Sequence, residues 1–290
     1  MAESKVVDYC SPLAVALHLM ANEDGSELIL EPQNGCLDDA GQCLDRGAII
    51  VLADHACGLM VRRRFDPTPL ATLNLRVDWI STPDPGRAVQ ACPRIIAHHG
   101  MTALVAVDIL HPGNQTLIAI ATSQMILGVA PGGTNMPFLP IASPDLFVNA
   151  KDARFANFTR MLGLQSGHEG YRLPLAPHLV GNATVSAVHG GLIGAALDRA
   201  AAQALQAVDD SRSWQPLGIW IEYMRPAILG SADLDLEPSI KRIGRTIASV
   251  ECTARLGQSA KLVAQAGVNF VAGALSNTPS RSNEPDGAAS

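Results

Sequence analysis

The residues best suited to chemistry lie in one short segment of the second half of the chain. His189, Gly190 and Gly191 precede an apolar run that carries Asp198. The first N–H groups of a helix lack intrahelical acceptors, so glycines at a helix start can present backbone donors to a developing oxyanion. An Asp about two turns into that helix could act as a general base or a nucleophile. The segment therefore predicts a site that stabilises negative charge beside a carboxylate.

A similar pattern occurs 144 positions earlier in the chain. Gly47 is equivalent to Gly191 and Asp54 to Asp198 (198 − 54 = 144), with no gap in the comparison. The same offset relates five further pairs of identical residues: Leu73 and Leu217, Gly86 and Gly230, Gly100 and Gly244, Thr102 and Thr246, and Gly113 and Gly257. Because chance does not readily produce a gap-free series that also keeps the hydrophobic pattern, we infer an internal repeat.

The same elements are expected in each half: a short amphipathic helix, a short strand, a long apolar helix and four strands. Asp is a good N-cap, so we expect the short helices to run from Asp8 to about Met20 and from Asp152 to about Leu164. The other predicted elements are long helices at about Ala48–Arg63 and Leu192–Val208, short strands at Glu27–Leu30 and Tyr171–Leu175, and second-half strands at Leu217–Met224, Ala232–Ile240, Thr246–Ala254 and Ala260–Phe270.

The long helices are apolar nearly all round, which suits helices wrapped by a sheet. We therefore predict an α+β fold with two tandem modules, residues 1–128 and 152–275. Residues 129–151 are rich in Pro and Gly, which is typical of a linker. Residues 276–290 are polar, and we expect a disordered tail there.

Composition excludes several classes of protein. Hydrophobic residues make up 48% of the chain and charged residues 17%, which excludes a disordered chain. The formal net charge is −6, so a broad nucleic-acid-binding surface is not expected. The 6 cysteines contain no CxxC pair, so neither a metal site nor a disulfide framework is expected.

Two features indicate where the protein is located. No uncharged apolar run reaches the roughly 18–20 residues that a membrane-spanning helix needs, so no membrane association is expected. The first residues, Met-Ala-Glu-Ser-Lys, show no apolar core of a signal peptide. We predict a cytoplasmic protein with reduced thiols.

Two segments of the second half resemble a known family. They are the stretch from Val188 to Asp198, with its His-Gly-Gly tripeptide, and Tyr223-Met224-Arg225-Pro226-Ala227-Ile228-Leu229-Gly230. Together they resemble hotdog-fold acyl-CoA thioesterases of the phenylacetate-pathway type, over most of residues 165–273 and, through the repeat, about 22–128. The resemblance implies two hotdog modules packed as a pseudo-dimer within one chain. It also implies an acyl-CoA substrate, no cofactor apart from the coenzyme A moiety of that substrate, and a homodimer of such chains.

The resemblance also implies where the active site lies. In this family one module contributes the helix start, and the other contributes the acidic residue and a hydroxyl 18 positions after it. Here the first site would combine His189, Gly190 and Gly191 with Asp54 and Thr72 (72 − 54 = 18). Asp54 would be the base or nucleophile, and the two glycines would hold the oxyanion.

The second site implied by the repeat would be degenerate. It would combine Asp45, Arg46 and Gly47 with Asp198 and Pro216. Proline has no hydroxyl and the His-Gly pair is lost, so we expect only the first site to be catalytic. Alternative structural roles stay open: a solvated helix residue for Asp54 or Asp198, a helix cap for His189 and an ordinary strand residue for Thr72.

Three further residues are candidates for substrate binding. Asn182 is the nearest match to an Asn that the family often has before the His, at a position where this chain has Ala183. Arg62 and Arg245 could contact the phosphates of coenzyme A or could simply stabilise a helix end and a turn. One alternative function is a non-catalytic acyl-CoA-binding protein. Another is a hotdog-fold hydratase or dehydratase, which needs a His–Asp or His–Glu pair that the sequence alone does not bring together.

Overall fold

Two long helices and one wide antiparallel sheet organise the chain. The structure is a computed structural model that describes residues 11–273, except 23–24, 66–69, 129–153 and 168–169. Its α-helices are α1 (Pro12–Ala16), α2 (Arg46–Phe65), α3 (Phe158–Leu162) and α4 (Gly190–Val208). The starts of α2 and α4 differ by the repeat offset of 144 (190 − 46).

The strands of the first half are β1 (Met20–Ala21), β2 (Leu28–Leu30), β3 (Leu70–Trp79), β4 (Val89–His99), β5 (Thr102–Leu110) and β6 (Leu117–Leu127). Those of the second half are β7 (Gln165–Ser166), β8 (Tyr171–Leu173), β9 (Val180–Asn182), β10 (Ala187–Val188), β11 (Trp214–Tyr223), β12 (Leu234–Ile243), β13 (Ile247–Leu256) and β14 (Lys261–Ala272). The long strands β3–β6 and β11–β14 therefore follow α2 and α4 in the same order.

Twelve strands form one sheet in the order β1-β2-β4-β5-β6-β3-β11-β14-β13-β12-β8-β7. The two halves meet where β3 pairs with β11, with Val77 opposite Ile219. On either side of this junction, equivalent strands lie at equivalent distances, so the sheet is symmetric about its centre. Strands β9 and β10 form a separate pair, which precedes α4 in the chain.

The two long helices pack against each other and against the sheet. Asp54 of α2 contacts the start of α4, whereas Arg46 of α2 contacts Asp198 farther along α4. The helices are therefore antiparallel, and each presents its first turn to the middle of the other. Residues 48–53 of α2 are fully buried, as expected for a helix that is apolar on all sides.

The short helices differ from the sequence prediction. Helix α1 begins at Pro12 and its N-cap is Ser11, whose hydroxyl accepts from the Ala14 N–H at 3.0 Å. It ends before His18, which has a positive φ of 49°, so the prediction that the helix reaches Met20 is wrong. Helix α3 is capped by the Asn157 side chain. The predicted caps Asp8 and Asp152 lie outside the described residues.

The predicted long helices and strands are present, with shifted ends. Helices α2 and α4 begin two residues earlier than expected, because the side chains of Asp45 and His189 accept from the N–H groups of Gly47 and Gly191 and so cap the helices there. The predicted linker, residues 129–151, and the predicted tail, residues 276–290, lie entirely outside the described residues. The division into modules 1–128 and 152–275 stays a prediction.

Among the described residues, no helix is both long and apolar enough to cross a membrane. The five cysteines in the described ranges form no disulfide. The cytoplasmic location stays a prediction.

Candidate active site

Asp54 lies at the crossing of α2 and α4 and is 5% exposed. Its Oδ2 accepts a hydrogen bond from the Gly191 N–H at 2.6 Å, and its Oδ1 accepts from the Thr72 hydroxyl at 2.9 Å. Asp54 and Gly191 are 137 positions apart. The structure thus brings together the acid, the hydroxyl and the helix start that the sequence predicts for the first site.

Glycine is required at both positions at the start of α4. A Cβ at Gly190 would lie 2.9 Å from Asp54 Oδ2, and a Cβ at Gly191 would lie 2.9 Å from Asp54 Cβ and from Val51 Cα. Real Cβ atoms do not approach other atoms this closely, so a larger residue would push the two helices apart. The glycine pair therefore permits the contact between the carboxylate and the helix start.

His189 is the N-cap of α4, and its side chain reaches Asp54. Its Nδ1 accepts from the Gly191 N–H at 3.1 Å and lies 3.3 Å from Asp54 Oδ2. The Gly191 N–H is thus shared between the carboxylate and the imidazole. The sequence alone did not bring a His–Asp pair together, but the structure forms one, because the two residues come from different halves of the chain.

His55 extends this cluster and was not among the predicted site residues. Its Nδ1 lies 3.2 Å from His189 Nε2, and the two rings stack with centroids 5.4 Å apart. Because Nδ1 of His189 accepts the Gly191 N–H, the His189 proton lies on Nε2 and is donated to His55 Nδ1. The shared Gly191 N–H therefore links Asp54 to His189, and the other ring nitrogen of His189 donates to His55. The position of His55 directly after the predicted acid was the one sequence signal for it.

Tyr223 was also missed as a site residue, although it lies within the second motif. Its hydroxyl donates to the Gly190 carbonyl at 2.9 Å and so holds the first turn of α4. Burial, and then the charge of Asp54, raise the pKa of Tyr223 well above its usual value. Tyr223 is therefore a neutral hydrogen-bond donor in this cluster.

Burial determines the electrostatics of the cluster. It raises the pKa of Asp54, while the hydrogen bonds from Thr72 and Gly191 act in the opposite direction. Burial lowers the pKa of His55 to about 3 and that of His189 to about 4. Both imidazoles are therefore neutral at pH 7, and the carboxylate is more basic than that of an exposed Asp.

The two predicted oxyanion donors are not equivalent. The Gly191 N–H is already occupied by Asp54 and His189. No acceptor for the Gly190 N–H is found among the described residues. We refer to Asp54, His55, Thr72, His189, Gly190, Gly191 and Tyr223 as the Asp54 cluster. Its Gly190 N–H is the donor left for a substrate oxygen.

The predicted second site also forms, with different chemistry. The Gly47 N–H donates to Asp45 Oδ1 at 2.7 Å, and Asp45 is also paired with Arg199. Arg46 Nη2 lies 3.3 Å from Asp198 Oδ2. Burial raises the pKa of Asp45, although Arg199 opposes this shift. We call these five residues the Asp198 cluster. A cavity of about 450 Å³ lies beside it, lined also by Pro216.

The predicted substrate-binding residues are separated in the structure. Arg62 lies in the last turn of α2, near enough to His55 to contribute to lowering its pKa. The Asn182 side chain accepts from the Thr184 N–H at 3.1 Å and so stabilises a local turn.

Arg245 is not brought to the Asp54 cluster. Its carbonyl accepts from Arg212 Nη1 at 2.9 Å, and Arg212 follows the end of α4. The 19 residues of α4 place that end about 28 Å from Gly190, at about 1.5 Å per residue. A role for Arg245 in binding substrate at the first site therefore receives no support from its position.

No group of three or more His, Cys, Asp or Glu side chains is placed to hold a metal ion within the described ranges. The Asp54 cluster offers one carboxylate and two neutral imidazoles, each occupied by a neighbour. The arrangement suits proton transfer and activation of water, together with donation to an oxyanion.

Comparison with known proteins agrees with the predicted family. Residues 186–263 match the family model of the thioesterase superfamily. No curated protein sequence matches the chain. The matched segment contains the His-Gly-Gly motif and Asp198, whereas Asp54 lies outside it. The predicted resemblance to hotdog-fold thioesterases is confirmed, and its narrower assignment to the phenylacetate-pathway type stays a prediction.

Solved structures match most of the chain. The tesB protein of Mycobacterium avium subsp. paratuberculosis is 12% identical, with a TM-score of 0.59 over 90% of this chain and 98% of that chain. Acyl-CoA thioesterase II TesB2 of Mycobacterium marinum is 14% identical, with a TM-score of 0.55 over 94% and 99%. A hot dog fold protein of unknown function from Alicyclobacillus acidocaldarius is 10% identical, with a TM-score of 0.61 over 91% and 99%. At these identities the likeness shows the fold, which is a hotdog fold with a large antiparallel sheet.

Proposed function

We propose that this chain, which has a hotdog fold and is similar to the thioesterase superfamily, is an acyl-CoA thioesterase built as a tandem double hotdog. Its one active site would lie at the Asp54 cluster. The observation that carries the proposal is the contact of the buried Asp54 carboxylate with the start of α4 from the other half of the chain. The two halves would act as the two subunits of a pseudo-dimer, one giving the acid and the other giving the oxyanion donor.

In the proposed reaction the thioester carbonyl oxygen accepts a hydrogen bond from the Gly190 N–H. Asp54 removes a proton from water, and the hydroxide adds to the carbonyl carbon. The tetrahedral oxyanion then collapses, the C–S bond breaks, and the thiolate of coenzyme A leaves and takes up the proton. In a covalent variant, the carboxylate itself attacks and water hydrolyses the resulting anhydride.

The neighbours of Asp54 fit either course. Thr72 and Gly191 hold the carboxylate, yet an ionised carboxylate has about four lone-pair sites, so hydrogen bonds to two neighbours leave acceptor capacity for water. The raised pKa of Asp54 makes it a better base than an exposed Asp. His189 and His55 are neutral and keep the site free of cations that would hold the carboxylate in an ion pair.

The test is thiol release from short, medium, long and aromatic acyl-CoAs. We expect Asp54→Asn to lower kcat by about 10²–10⁴-fold, the usual contribution of a general base. Asp108→Asn is a matched control, because it makes the same change at an exposed carboxylate of β5 that is paired with Arg94. Loss of turnover in Asp198→Asn but not in Asp54→Asn would show that the catalytic acid lies in the other cluster.

A non-catalytic acyl-CoA-binding protein is the second candidate. It is favoured by the low exposure of Asp54, 5%, and by the hydrogen bonds that both of its oxygens already accept. Binding of acyl-CoA by calorimetry without thiol release from any member of the panel would establish this function in place of hydrolysis.

The His189–Asp54 pair, at 3.3 Å, favours a third candidate, hydration of an enoyl thioester. The same enzyme preparations can be assayed for loss of enoyl-CoA absorbance. Loss of this absorbance without thiol release would replace the thioesterase proposal by a hydratase.

We also propose that the protein is cytoplasmic. Its chains are expected to form homodimers, because hotdog sheets often associate through their edges and faces. Sedimentation equilibrium would measure the mass directly, and a monomer at all concentrations would contradict the dimer.

A further inference from the structure

A cavity lies beside the Asp198 cluster, and no residue of the Asp54 cluster, where we propose that hydrolysis occurs, lines it. It measures about 450 Å³, within the usual range of ligand pockets, and receives residues from both halves of the chain. Arg46 stands at the position equivalent to Gly190, and Pro216 at the position equivalent to Thr72. The pocket therefore lacks the open helix start and the hydroxyl of the Asp54 cluster.

Unpaired polar atoms are concentrated around this cavity. Among the described residues, four buried side-chain atoms have no hydrogen-bond partner: Arg46 Nε, Trp79 Nε1, Asp198 Oδ1 and Trp214 Nε1. All four residues line the cavity. Buried polar groups are nearly always paired in folded proteins, and leaving one unpaired costs free energy. Four such atoms around one cavity point to a ligand that satisfies them.

The unpaired atoms define the chemistry of the ligand. The two indoles and the guanidinium can only donate, and an ionised Asp198 can only accept. The ligand must therefore present carbonyl-type acceptors and at least one N–H or O–H donor. Asp198 is 3% exposed, so its free oxygen cannot be satisfied by bulk solvent.

The charged and apolar residues that line the cavity further restrict the class of ligand that it could bind. Three carboxylates and two guanidinium groups line the cavity: those of Asp38, Asp45, Asp198, Arg46 and Arg199. The arginines are already paired with Asp45 and Asp198, so an anionic group would meet repulsion without a free cation. The side chains of Leu44, Phe270 and Pro216 add apolar contact. A neutral amide with a branched aliphatic body meets these conditions.

We propose that this cavity is a second, non-hydrolytic binding site for the amide-bearing pantetheine arm of coenzyme A or of an acyl carrier protein. Pantetheine is neutral and carries two secondary amides and a gem-dimethyl group. Its carbonyls would accept from the indoles, and an amide N–H would donate to Asp198 Oδ1. The choice of pantetheine among neutral amides rests on the proposed thioesterase function, whereas the existence of the site rests on the cavity itself.

The test uses the indole N–H signals of the ¹⁵N-labelled full chain in NMR spectra. The chain has 3 tryptophans, of which Trp79 and Trp214 line the cavity, while Trp220 is 40% exposed and does not. Titration with pantetheine should shift the Trp79 and Trp214 signals saturably and leave Trp220 in place. Each of the variants Trp79→Phe and Trp214→Phe should weaken binding about tenfold, the loss of one hydrogen bond.

Further titrations identify the source of the arm. Coenzyme A and a holo acyl carrier protein are each added to the wild-type chain; a shift with only one assigns the site to that carrier. No shift of either signal with pantetheine up to its solubility limit, or an equal shift of Trp220, would overturn the second site. Indole shifts without thiol release would overturn the proposed function alone, and thiol release without indole shifts would overturn this inference alone.

Discussion

The Asp54 cluster and the Asp198 cluster occupy equivalent positions of an internal repeat but hold their carboxylates in opposite ways. At the first, Asp54 accepts from a backbone N–H and a hydroxyl, and both are neutral. At the second, Asp198 is paired with the guanidinium of Arg46. The four exchanged positions are His189 for Asp45, Gly190 for Arg46, His55 for Arg199 and Thr72 for Pro216.

This difference shows how a duplicated site can keep its shape and change its chemistry. At each helix start, a side chain caps the N–H of the second helical residue. His189 accepts from the Gly191 N–H, and Asp45 accepts from the Gly47 N–H. One cap is a neutral imidazole, and the other is a carboxylate that requires a cation, which Arg199 supplies. Neutral partners suit the proposed role of Asp54 as a base, whereas the ion pairs suit the structural and binding role that we propose for the second cluster.

The largest expected effect comes from closing the open helix start. Gly190→Ala keeps the backbone N–H but places a Cβ against Asp54 Oδ2 and the Tyr223 ring, which displaces the helix start from the carboxylate. We expect kcat/KM for thiol release to fall about 10²-fold, as when an oxyanion donor is misplaced. Gly58→Ala is the matched control, because its Cβ would meet Met125 Cε at an ordinary 3.8 Å. Wild-type turnover in Gly190→Ala would remove the helix start from the mechanism.

The second prediction concerns the ion pairs of the Asp198 cluster. Asp45→Ala removes the cap of Gly47 and a partner of Arg199. We therefore expect the free energy of unfolding, measured by urea denaturation, to fall by about 2–3 kcal/mol. Asp39→Ala removes another partner of Arg199 together with the hydrogen bonds that Asp39 accepts from Asn157 and Thr159, but Asp39 is largely exposed and its loss should cost at most about 1 kcal/mol. Equal effects of the two variants would contradict the structural role of Asp45.

A smaller effect is expected from the hydroxyl that distinguishes the clusters. Thr72→Val keeps the shape of the side chain but leaves Asp54 Oδ1 without its donor. We expect kcat to fall about tenfold, which corresponds to the loss of one hydrogen bond to a charged group. Thr72→Ser should restore most of the activity, because it returns the hydroxyl. Failure of Ser to rescue would indicate that the methyl group, and therefore packing, is what matters at this position.

A pH dependence of stability is also expected. The pKa values of His55 and His189 are lowered to about 3 and about 4, so their contribution to stability is complete above the unfolded pKa of about 6.5 and is lost as pH falls toward the folded values. Urea unfolding at pH 7 and pH 5 should therefore show lower stability at pH 5. Asp54, whose pKa is raised, acts with the opposite sign and opposes part of this loss. His55→Gln should flatten the profile, and an unchanged profile would contradict the neutral histidine pair.

Much of the fold was predictable because its signals are local. Apolar runs, turn glycines and the repeat offset indicate the long helices α2 and α4 and the strands that follow them. The short helices were predicted less well. Their caps are Ser11 and Asn157 and not the preceding Asp residues, because several cap-forming residues lie close together there and only the surrounding packing selects one.

The candidate site was predictable where the resemblance to hotdog-fold thioesterases could be carried over residue by residue, as for Asp54 and Thr72. The spacing of 18 between Asp54 and Thr72 carries the chain from the middle of α2 to the adjacent strand β3, where the two side chains meet. His55 gave no such signal, since its partner His189 comes from the other half of the chain. Tyr223 and its partner Gly190 lie in the same half, but on a strand and at a helix start 33 positions apart, and no spacing rule links them. The Asn182 and Arg245 assignments relied on resemblance, and the structure gives these residues local contacts elsewhere.

By itself the sequence determined which elements form, their duplicated order, and which residue types stand at the two helix starts. These depend on hydrophobic period, turn chemistry and the absence of side chains at Gly190 and Gly191. Only the tertiary structure decided that Asp54 would meet His189 (189 − 54 = 135 positions away) and Gly191 (137 positions away). It also decided that four unpaired polar atoms would surround one cavity. The physical reason is that both depend on how α2 crosses α4, and this crossing is set by the packing of the whole core.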